Sequence, residues 1–438
     1  MCYTAVTDSL DAITQYHWLP ETGQVYQQTD PLARITKTEY DAQGRIIAEL
    51  APNGAKTVYG YDEFGNRNKI VNPLGQGYII TPNALLDPAG QLWQRRFDKK
   101  NRLTKVIAPT GAIWSFDYDE SGNLIKITDP NGAYKEQEFS RKQGILIKST
   151  DWEGHPTYYR TDDLGRVVLR QNAAYNNVYF EYDRLGNPTK ITLPDKTQII
   201  AQYDCDNNIT ALINAKGQAY YWKYSTCKRL LKTTDILKQT VHYHWGSEHD
   251  ILEAITNEKG EFCHFTYNPA EQLEEQTGFD GRSLKWVYDP RTGELIKTIN
   301  GLWQETTYKR DALGRVIEKQ LPSGSAEHFE YDPNGNLIAA INPDCTVTLE
   351  RDALGRIIQE TQDDFVIRHQ YDQVGNLIHT ETNLGTWIDS DYDGNGAITR
   401  LNFGGENQFD WKLNRKRLKP MIFRQRLKDD EFLMACTI

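Results

Sequence analysis

Short runs of alternating polar and apolar residues recur along the chain, and turn-forming residues separate them every ten or eleven positions. The alternation is visible in the segments that begin at Leu124, Thr189 and Val316. A two-residue period is typical of β-strands with two unlike faces. Turns at this spacing leave strands of about six residues, or about 20 Å. The pattern predicts many short strands, and a helical period remains an alternative only in the last 25 residues.

The turns belong to a repeat of about 21 residues, and each repeat carries the sequence motif Tyr-Asp-x-x-Gly. Degenerate copies of the motif begin at Trp18, Phe139 and Trp245. Together with the clear copies they make about 18 repeats. The interval from Tyr61 to Phe97 breaks the rhythm with an irregular insert. Clear copies begin at Tyr40, Tyr61, Phe97, Tyr118, Thr161, Tyr182, Tyr203, Tyr224, Tyr267, Tyr288, Arg310, Tyr331, Arg351, Tyr371 and Tyr392.

The signature has a mechanical meaning. Asp followed by Gly three positions later predicts a type I turn, because the carboxylate caps the turn and glycine adopts the left-handed conformation. Such a turn closes a three-residue hairpin loop with a bulge. Asn101 and Asn207 replace the glycine in two copies, and asparagine tolerates that conformation next best. The predicted turn residues are Asp41, Gly44, Asp62, Gly65, Asp119, Gly122, Asp183, Gly186, Asp311, Gly314, Asp332, Gly335, Asp352, Gly355, Asp372 and Gly375.

A second turn follows the first after about ten residues. It reads Asn-Pro-Leu-Gly from Asn72, Asp-Pro-Asn-Gly from Asp129 and Leu-Pro-Ser-Gly from Leu321. Proline at the second position and glycine at the fourth again indicate type I turns. Two turns per repeat predict about 36 antiparallel strands, and open sheets of more than about ten strands curl. We therefore predict an all-β fold, a tandem hairpin array coiled into a spiral, hollow β-shell that is incomplete at its ends.

The array predicts three segments: a lead-in over residues 1–17, the repeats over 18–402 and a divergent basic tail over 403–438. From Trp411 onward there are eight Lys or Arg residues against three acidic ones, whereas the whole chain has a net charge of −10. An acidic body argues against nucleic acid as the main partner. For the segment Arg415 to Lys428 we favour a disordered or aberrant terminus, and binding to nucleic acid or to an anionic membrane surface is the alternative.

Composition narrows the class further. Hydrophobic residues make up 39% of the chain, and 25 Tyr and 10 Trp stand against 3 Met. This balance favours a hollow, wetted body of strands over a compact core. The sequence shows neither a signal peptide nor 18 consecutive apolar residues, so a membrane span is not expected. We expect a bacterial protein that is secreted or placed on the cell surface by a dedicated secretion system, and a cytoplasmic one if the chain is a stand-alone fragment.

Candidate metal ligands are few. Asp391, Asp393 and Asn395 match the start of an EF-hand loop, but Asn402 stands where the bidentate glutamate belongs. The same residues are in register as an ordinary repeat turn. A second set, His242, His244, His249, Cys263 and His264, has donors suited to zinc but the spacing of no standard finger. Cys205 and Cys227 lie one repeat apart, and we expect free thiols there. No cofactor is expected, and the sequence shows no credible catalytic motif.

The repeated Tyr-Asp-x-x-Gly-Asn-Leu and Arg-Asp-Ala-Leu-Gly-Arg units resemble the YD repeats of the Rhs family of bacterial polymorphic toxins, over roughly residues 18 to 402. Similar repeats occur in the C components of insecticidal toxin complexes, in wall-associated proteins and in teneurins. The resemblance implies a β-cocoon that encloses a toxin cargo and is closed by a self-cleaving region. No Asp-Pro-x-Gly-Leu segment follows Tyr392, so the cleavage residues of the family cannot be placed here.

The sequence thus supports three hypotheses about function, none of them enzymatic. The first is an encapsulating scaffold, a fragment of a Rhs-type shell whose partners are a toxin cargo or the remaining parts of a longer Rhs protein. The second is a binding module for glycans or a cell surface, because rows of Tyr and Trp on a sheet suit sugar rings. The third is an inert remnant of a longer Rhs protein.

Overall fold

A computed structural model of the chain describes residues 2–8, 11–141, 143–246, 251–404 and 409–412. His249 and the segment from Arg415 to Lys428 lie outside these residues. The described part consists of strands and turns, and it holds no helix long and apolar enough to cross a membrane. The last 25 residues, where the sequence allowed a helix, are also outside it.

Forty strands follow one another along the described residues, most of them five or six residues long. The first twenty are β1 Cys2–Thr7, β2 Ile13–Trp18, β3 Val25–Thr29, β4 Ile35–Tyr40, β5 Ile46–Leu50, β6 Lys56–Tyr61, β7 Arg67–Val71, β8 Gly77–Thr81, β9 Ala84–Leu86, β10 Leu92–Phe97, β11 Leu103–Ile107, β12 Ile113–Tyr118, β13 Leu124–Thr128, β14 Tyr134–Phe139, β15 Leu146–Thr150, β16 Pro156–Thr161, β17 Val167–Gln171, β18 Asn177–Tyr182, β19 Pro188–Thr192 and β20 Gln198–Tyr203.

The second twenty continue the same alternation of strand and turn. They are β21 Ile209–Ile213, β22 Ala219–Tyr224, β23 Leu230–Thr234, β24 Thr240–Trp245, β25 Leu252–Thr256, β26 Phe262–Tyr267, β27 Leu273–Thr277, β28 Ser283–Tyr288, β29 Leu295–Ile299, β30 Glu305–Arg310, β31 Val316–Gln320, β32 Ala326–Tyr331, β33 Leu337–Ile341, β34 Thr346–Arg351, β35 Ile357–Gln362, β36 Phe365–Tyr371, β37 Leu377–Thr382, β38 Trp387–Tyr392, β39 Ile398–Gly404 and β40 Phe409–Lys412.

Each strand pairs antiparallel with the strand before it and the strand after it, so the sheet is one continuous meander. The strands pass both limits of the repeat array predicted from the motif, since β1 precedes Trp18 and β40 follows Asn402. The insert after Tyr61 keeps the alternation through a short hairpin, because β8 and β9 are joined by Pro82 and Asn83 alone.

The sheet is a single layer with little core. The described residues include no large side chain that is fully buried, and the buried apolar positions are mainly alanines such as Ala48, Ala211 and Ala254. A single layer cannot bury side chains between two sheets, so stability must come from neighbouring repeats along the array. The contacts between repeats therefore decide what the molecule can do.

Candidate functional site: two turn rims and a seam between coils

Alternate turns of a meander lie along the same edge of the sheet, which gives this molecule two rims. We call the edge formed by turns after even-numbered strands the YD rim, because it carries the Tyr-Asp-x-x-Gly turns. The edge formed by turns after odd-numbered strands is the second rim. Successive Tyr-Asp turns thus share one edge, apart from the short hairpin after β8.

The turn at Asp162 illustrates the YD rim. Its Oδ1 accepts the backbone N–H groups of Leu164 at 3.0 Å and Arg166 at 2.9 Å. The N–H of Gly165 donates to the Asp162 carbonyl at 3.0 Å, and Gly165 has φ of +81°. Pairing of β16 with β17 shifts by one residue between Arg160 and Thr161. These are the hydrogen bonds of a type I turn followed by a left-handed residue and a bulge.

The predicted turn residues occupy equivalent places. The eight predicted aspartates each accept the backbone N–H four residues on, at 2.8 to 3.0 Å. The eight predicted glycines have φ between +78° and +108°. Asn101 and Asn207 also have positive φ, as do Lys228 and Glu271, which the sequence did not single out. The capping and the backbone conformation together fix the direction in which each hairpin reverses.

The residue after the turn glycine holds the second carboxylate oxygen, which the sequence analysis missed. Arg166 Nε donates to Asp162 Oδ2 at 2.7 Å, and Asn187 Nδ2 donates to Asp183 Oδ2 at 2.9 Å. The Arg166 guanidinium also lies 4.9 Å from the ring centre of Tyr182 in the next repeat. The recurrence of Gly-Arg and Gly-Asn in the motif was the available signal.

These contacts lower aspartate pKa values. The hydrogen bond from the Arg166 side chain, with backbone N–H groups of Arg166 and Leu164, holds the pKa of Asp162 below 3.8 despite some loss of hydration. At Asp98 the backbone N–H of Arg102 contributes most, and the Arg102 side chain adds to it. The carboxylates are thereby kept ionised as turn caps.

The tyrosine of the signature is a brace between repeats, a role the sequence analysis also missed. Tyr182 Oη donates to the carbonyl of Val167 at 2.8 Å, and Tyr267 Oη donates to Leu252 at 2.9 Å. In three copies without tyrosine another donor takes its place: Trp245 Nε1 donates to Leu230 at 2.7 Å, and Arg310 and Arg351 make the equivalent bonds. The spacing of 14 or 15 residues is the same throughout. Braces start at Tyr40, Tyr61, Tyr118, Tyr182, Tyr203, Trp245, Tyr267, Tyr288, Arg310, Tyr331, Arg351, Tyr371 and Tyr392.

Hydrogen bonds between residues about 240 positions apart join the second rim of the first strands to the YD rim of later strands. Asn131 Nδ2 donates to Asp372 Oδ2 at 2.9 Å, and Asn395 Nδ2 donates to Asp151 Oδ2 at 2.9 Å. We call this line of contacts between the two rims the seam. Its other side-chain hydrogen bonds are Arg34 to Gln272, Asn53 to Glu294 and Asn334 to Asp87, each 2.9 Å. A cleft of about 430 Å³ between the turns at Asp129 and Asp372 lies along it.

The seam has a constant offset. The turns after β3, β5, β9, β13 and β15 meet those after β26, β28, β32, β36 and β38, so every joint spans 23 strands. The sheet therefore curls back onto itself once every 23 strands. At about 4.8 Å per strand this gives a perimeter of about 110 Å and a diameter of about 35 Å. Forty strands make between one and two coils.

The two faces of the sheet differ in exposure. Tyr159 and Phe180 are half-buried, whereas the adjacent Tyr158 and Tyr179 point to the opposite face and are each 43% exposed. Tyr220 stacks on Trp222 at 6.1 Å, while Tyr221 on the opposite face is exposed. We call the face of Tyr159, Phe180, Tyr220 and Trp222 the aromatic face. Adjacent strand residues point to opposite faces, so these pairs compare similar side chains on the two sides.

The candidate metal ligands are dispersed. Asp393 caps its own turn through the N–H groups of Asn395 and Ala397, and Asn395 belongs to the seam, while Asp391 lies on β38. His244 and His264 share the face opposite Cys263, and the structure describes nothing of His249. Within the described ranges, no group of three or more His, Cys, Asp or Glu residues is arranged to hold a metal. Cys205 and Cys227 are exposed free thiols.

A single-layer wall of coiled β-hairpins defines the structural class, and comparisons with known proteins agree. The Teneurin YD-shell family matches residues 146–301 and 293–416, and the RHS repeat matches 40–76 and 97–134. The chain belongs to the YD-shell family, and its repeats are Rhs repeats.

Two bacterial relatives share low identity with it. It is 22% identical over 292 residues to double-stranded DNA deaminase toxin A of Burkholderia cenocepacia strain H111, covering 61% of this chain and 20% of the relative. It is 24% identical over 343 residues to the probable deoxyribonuclease RhsB of Dickeya dadantii strain 3937, covering 67% and 22%. The chain thus spans about a fifth of these relatives.

Solved structures show the same fold. The crystal structure of TcdB2-TccC3-TEV matches with a TM-score of 0.68 at 15% identity, covering 94% of this chain and 27% of that one. A Photorhabdus luminescens Tc holotoxin pore matches with a TM-score of 0.55 at 14% identity, covering 94% and 26%. The predicted all-β hairpin spiral and the resemblance to the Rhs family are confirmed.

Proposed function

We propose that this chain is part of a wall that encloses a polypeptide cargo, and that the cargo is a toxin. The observation that carries the proposal is the constant offset of 23 strands, since a sheet that returns to itself surrounds a space. A perimeter of about 110 Å leaves a lumen wide enough for an extended or partly folded chain. The relatives named as a deaminase toxin and a deoxyribonuclease support a toxic cargo, because those activities need domains beyond repeats of this kind.

The aromatic face is the inner surface in this proposal. In a coil about 35 Å wide, side chains that point inward converge. The distance between them on neighbouring strands falls to about three quarters of the distance between the backbones, whereas side chains that point outward spread apart. The greater burial of Tyr159 than of Tyr158 supports that orientation. An inner surface rich in Tyr and Trp offers weak, adaptable contacts to an unfolded polypeptide.

We propose the following roles in this wall for the three segments that the sequence predicts. Residues 18–402 form most of the wall, β1 in the lead-in and β40 in the tail extend it, and the whole is one section of a longer Rhs protein. Such a protein reaches its target by a dedicated secretion system, and the chain itself acts as a scaffold without catalysing a reaction.

Matched cysteines test the enclosure. Tyr158→Cys and Tyr159→Cys are made separately, with the native cysteines replaced by serine. Both variants are treated with a small maleimide and with a maleimide carried on a folded protein. We expect the small reagent to label both positions and the protein-borne reagent to label position 158 alone. Labelling of position 159 by the large reagent at the rate of position 158 would refute the enclosed lumen.

A further inference from the structure

Glycine follows each asparagine that donates across the seam. The chain contains five Asn-Gly pairs, and four of them supply these asparagines. In each of the four, the side-chain Nδ2 donates to a carboxylate of the neighbouring coil at 2.9 Å. The donors and acceptors are Asn53 with Glu294, Asn131 with Asp372, Asn334 with Asp87 and Asn395 with Asp151. The chemistry of Asn-Gly therefore bears on the joint between coils.

Asn-Gly is chemically the most labile asparagine sequence, because glycine has no Cβ to hinder its backbone nitrogen. This nitrogen attacks Cγ of the asparagine, the bond from Cγ to Nδ2 breaks, and ammonia leaves with the proton of the glycine N–H. Water then adds to either carbonyl of the cyclic imide and opens it to aspartate or isoaspartate. The net reaction consumes one water and releases one ammonia, and it involves no oxidant or reductant.

The folded seam restrains both reacting groups. The four asparagines are exposed, so water reaches them. The attacking nitrogen is held in the turn, since Gly132 N–H donates to the Asp129 carbonyl at 3.1 Å and Gly396 N–H donates to the Asp393 carbonyl at 3.0 Å. The amide that must leave is held by the acid across the seam. The reaction therefore takes place when a joint opens, at a rate set by how often it opens.

The product replaces an attraction across the seam by a repulsion. Burial disfavours ionisation of Asp372, but hydrogen bonds from Asn376 and Asn131 outweigh it and hold the pKa of Asp372 below its ordinary value. The acceptor is thus a charged carboxylate at neutral pH, and conversion of Asn131 sets a second charged carboxylate against it. Like charges at this distance disfavour each other strongly.

The coils have little room to relieve this repulsion. At the joint of Asn395, Gly394 lies so close to the other coil that a Cβ there would be 2.9 Å from the Trp152 carbonyl oxygen. Isoaspartate also adds a carbon to the main chain of the turn that makes the joint. A converted joint therefore cannot close as it did before.

Asn300 supplies the contrast, because it begins the fifth Asn-Gly pair, which lies outside the seam. Its Nδ2 donates to Gln304 Oε1 at 2.9 Å, and its Oδ1 accepts the N–H of Gln304 at 3.0 Å. The partner is neutral, and aspartate forms the same cap in other turns, such as that of Asp235. Conversion of Asn300 should therefore leave the joint between coils intact.

We propose that the four seam asparagines are sites of spontaneous deamidation, and that each conversion opens its joint and keeps it open. The seam is then a slow, one-way release device between the coils. It uses only seam residues and water, so it holds whether or not the wall encloses a cargo.

Asn395→Asp tests the consequence directly, since aspartate is one of the two products. The backbone N–H of Trp152 donates to Asn395 Oδ1 at 3.1 Å, so its hydrogen exchange reports on this joint. Aspartate keeps an oxygen that can accept this N–H, so faster exchange means an open joint and not a lost acceptor. We expect exchange at Trp152 to rise about tenfold or more in Asn395→Asp and to stay native in Asn300→Asp. Native exchange in both variants, or an equal rise in both, would overturn the proposal.

Asn334→Asp repeats the test at a second joint. The backbone N–H of Ala89 donates to Asn334 Oδ1 at 3.2 Å and also to Asp87 Oδ1 at 3.0 Å within its own turn. We therefore expect exchange at Ala89 to rise less than exchange at Trp152 does in Asn395→Asp. An unchanged rate at Ala89 would count against opening of this joint.

Ageing in mildly alkaline buffer tests the reaction itself, with peptide mass spectrometry of the folded chain and of the chain in urea. We expect the seam asparagines to convert to aspartate and isoaspartate in both samples, more slowly when folded, and exchange at Trp152 to rise with conversion of Asn395. Glutamine forms the corresponding imide far more slowly, so the combined variant should keep its initial exchange at Trp152. This variant carries Asn53→Gln, Asn131→Gln, Asn334→Gln and Asn395→Gln. Seam asparagines that stay intact while the chain in urea converts, or converted chains with native exchange at Trp152, would refute the device.

Discussion

The two rims reverse the chain with similar turns, yet the side-chain contacts that support these turns differ between the rims. A YD-rim turn has an aspartate cap, an Arg or Asn on the second carboxylate oxygen and a brace to the preceding repeat, as at Asp162, Arg166 and Tyr182. A second-rim turn also has its cap, as Asp235 does with the N–H groups of Leu237 and Gln239, and some second-rim turns have the side-chain contact too, as Arg34 does with Asp30. The recurring brace to the preceding repeat lies at the YD rim. The comparison teaches that the YD rim carries the cohesion of the array.

The bulges follow the same division. Register shifts occur in hairpins of the YD rim, where the bulge is part of the turn. Loop length, in contrast, varies on both rims. The YD rim has a two-residue loop between β8 and β9 and a six-residue loop between β28 and β29, and the second rim has five residues at Asp129 and two between β35 and β36.

Low pH should produce the largest difference in stability between the two rims. The aspartates with a pKa held below 3.8 by hydrogen bonds contribute stability that is complete above that value and is lost as the pH falls through the folded-state pKa. We therefore expect the array to lose stability below about pH 4, with hydrogen exchange rising first at the YD rim. Equal protection of both rims down to complete unfolding would contradict this. These aspartates are mostly on the YD rim: Asp41, Asp62, Asp98, Asp119, Asp162, Asp183, Asp204, Asp289 and Asp372, with Asp151 and Asp195 on the second rim.

Loss of one cap should cost more on the YD rim. Asp162→Ala removes two backbone contacts and the partner of Arg166, so we expect the larger loss of local stability here. Asp235→Ala, the matched change on the second rim, removes two backbone contacts and should cost about 1 kcal/mol. Hydrogen exchange of the flanking strands measures both, and equal losses would remove the distinction between the rims.

Replacement of the left-handed glycine should affect the two rims alike. Gly165 and Gly217 have φ of +81° and +78°, and alanine in this conformation costs roughly 1 to 2 kcal/mol. Gly165→Ala and Gly217→Ala should therefore lower the local free energy of opening by similar amounts. A much larger effect at Gly165 would show that the bulge adds strain of its own.

The brace should contribute an effect as small as that of the second-rim cap. Tyr182→Phe deletes the hydroxyl that donates to Val167 and should cost about 1 kcal/mol in the opening of β17 to β19. Tyr179→Phe is the control, because Tyr179 is exposed on the opposite face of the same strand. Hydrogen exchange that responds equally to both changes would exclude an interrepeat role for the tyrosine hydroxyl.

Local features of the fold were predictable from the sequence, whereas the seam was not. Asp and Gly at a fixed spacing encode each turn, because capping and the left-handed conformation involve only neighbouring residues. The brace of Tyr182 was encoded too, in the constant distance to Val167, but the pattern does not reveal which way a side chain reaches. The pairing of Asn131 with Asp372 depends on how tightly 23 strands curl, and curvature is the sum of many small twists.

The central claim is that the sheet closes on itself every 23 strands, and cross-linking across the seam tests it most directly. Asn131→Cys and Asp372→Cys are combined, with the native cysteines replaced by serine, and treated with a short bis-maleimide. Asn131→Cys with Asn334→Cys is the control, because Asn334 faces Asp87, four strands away from the turn of Asn131. We predict a cross-link within one chain for positions 131 and 372 and none for 131 and 334. A folded chain that cross-links neither pair, or both equally, would contradict the coil.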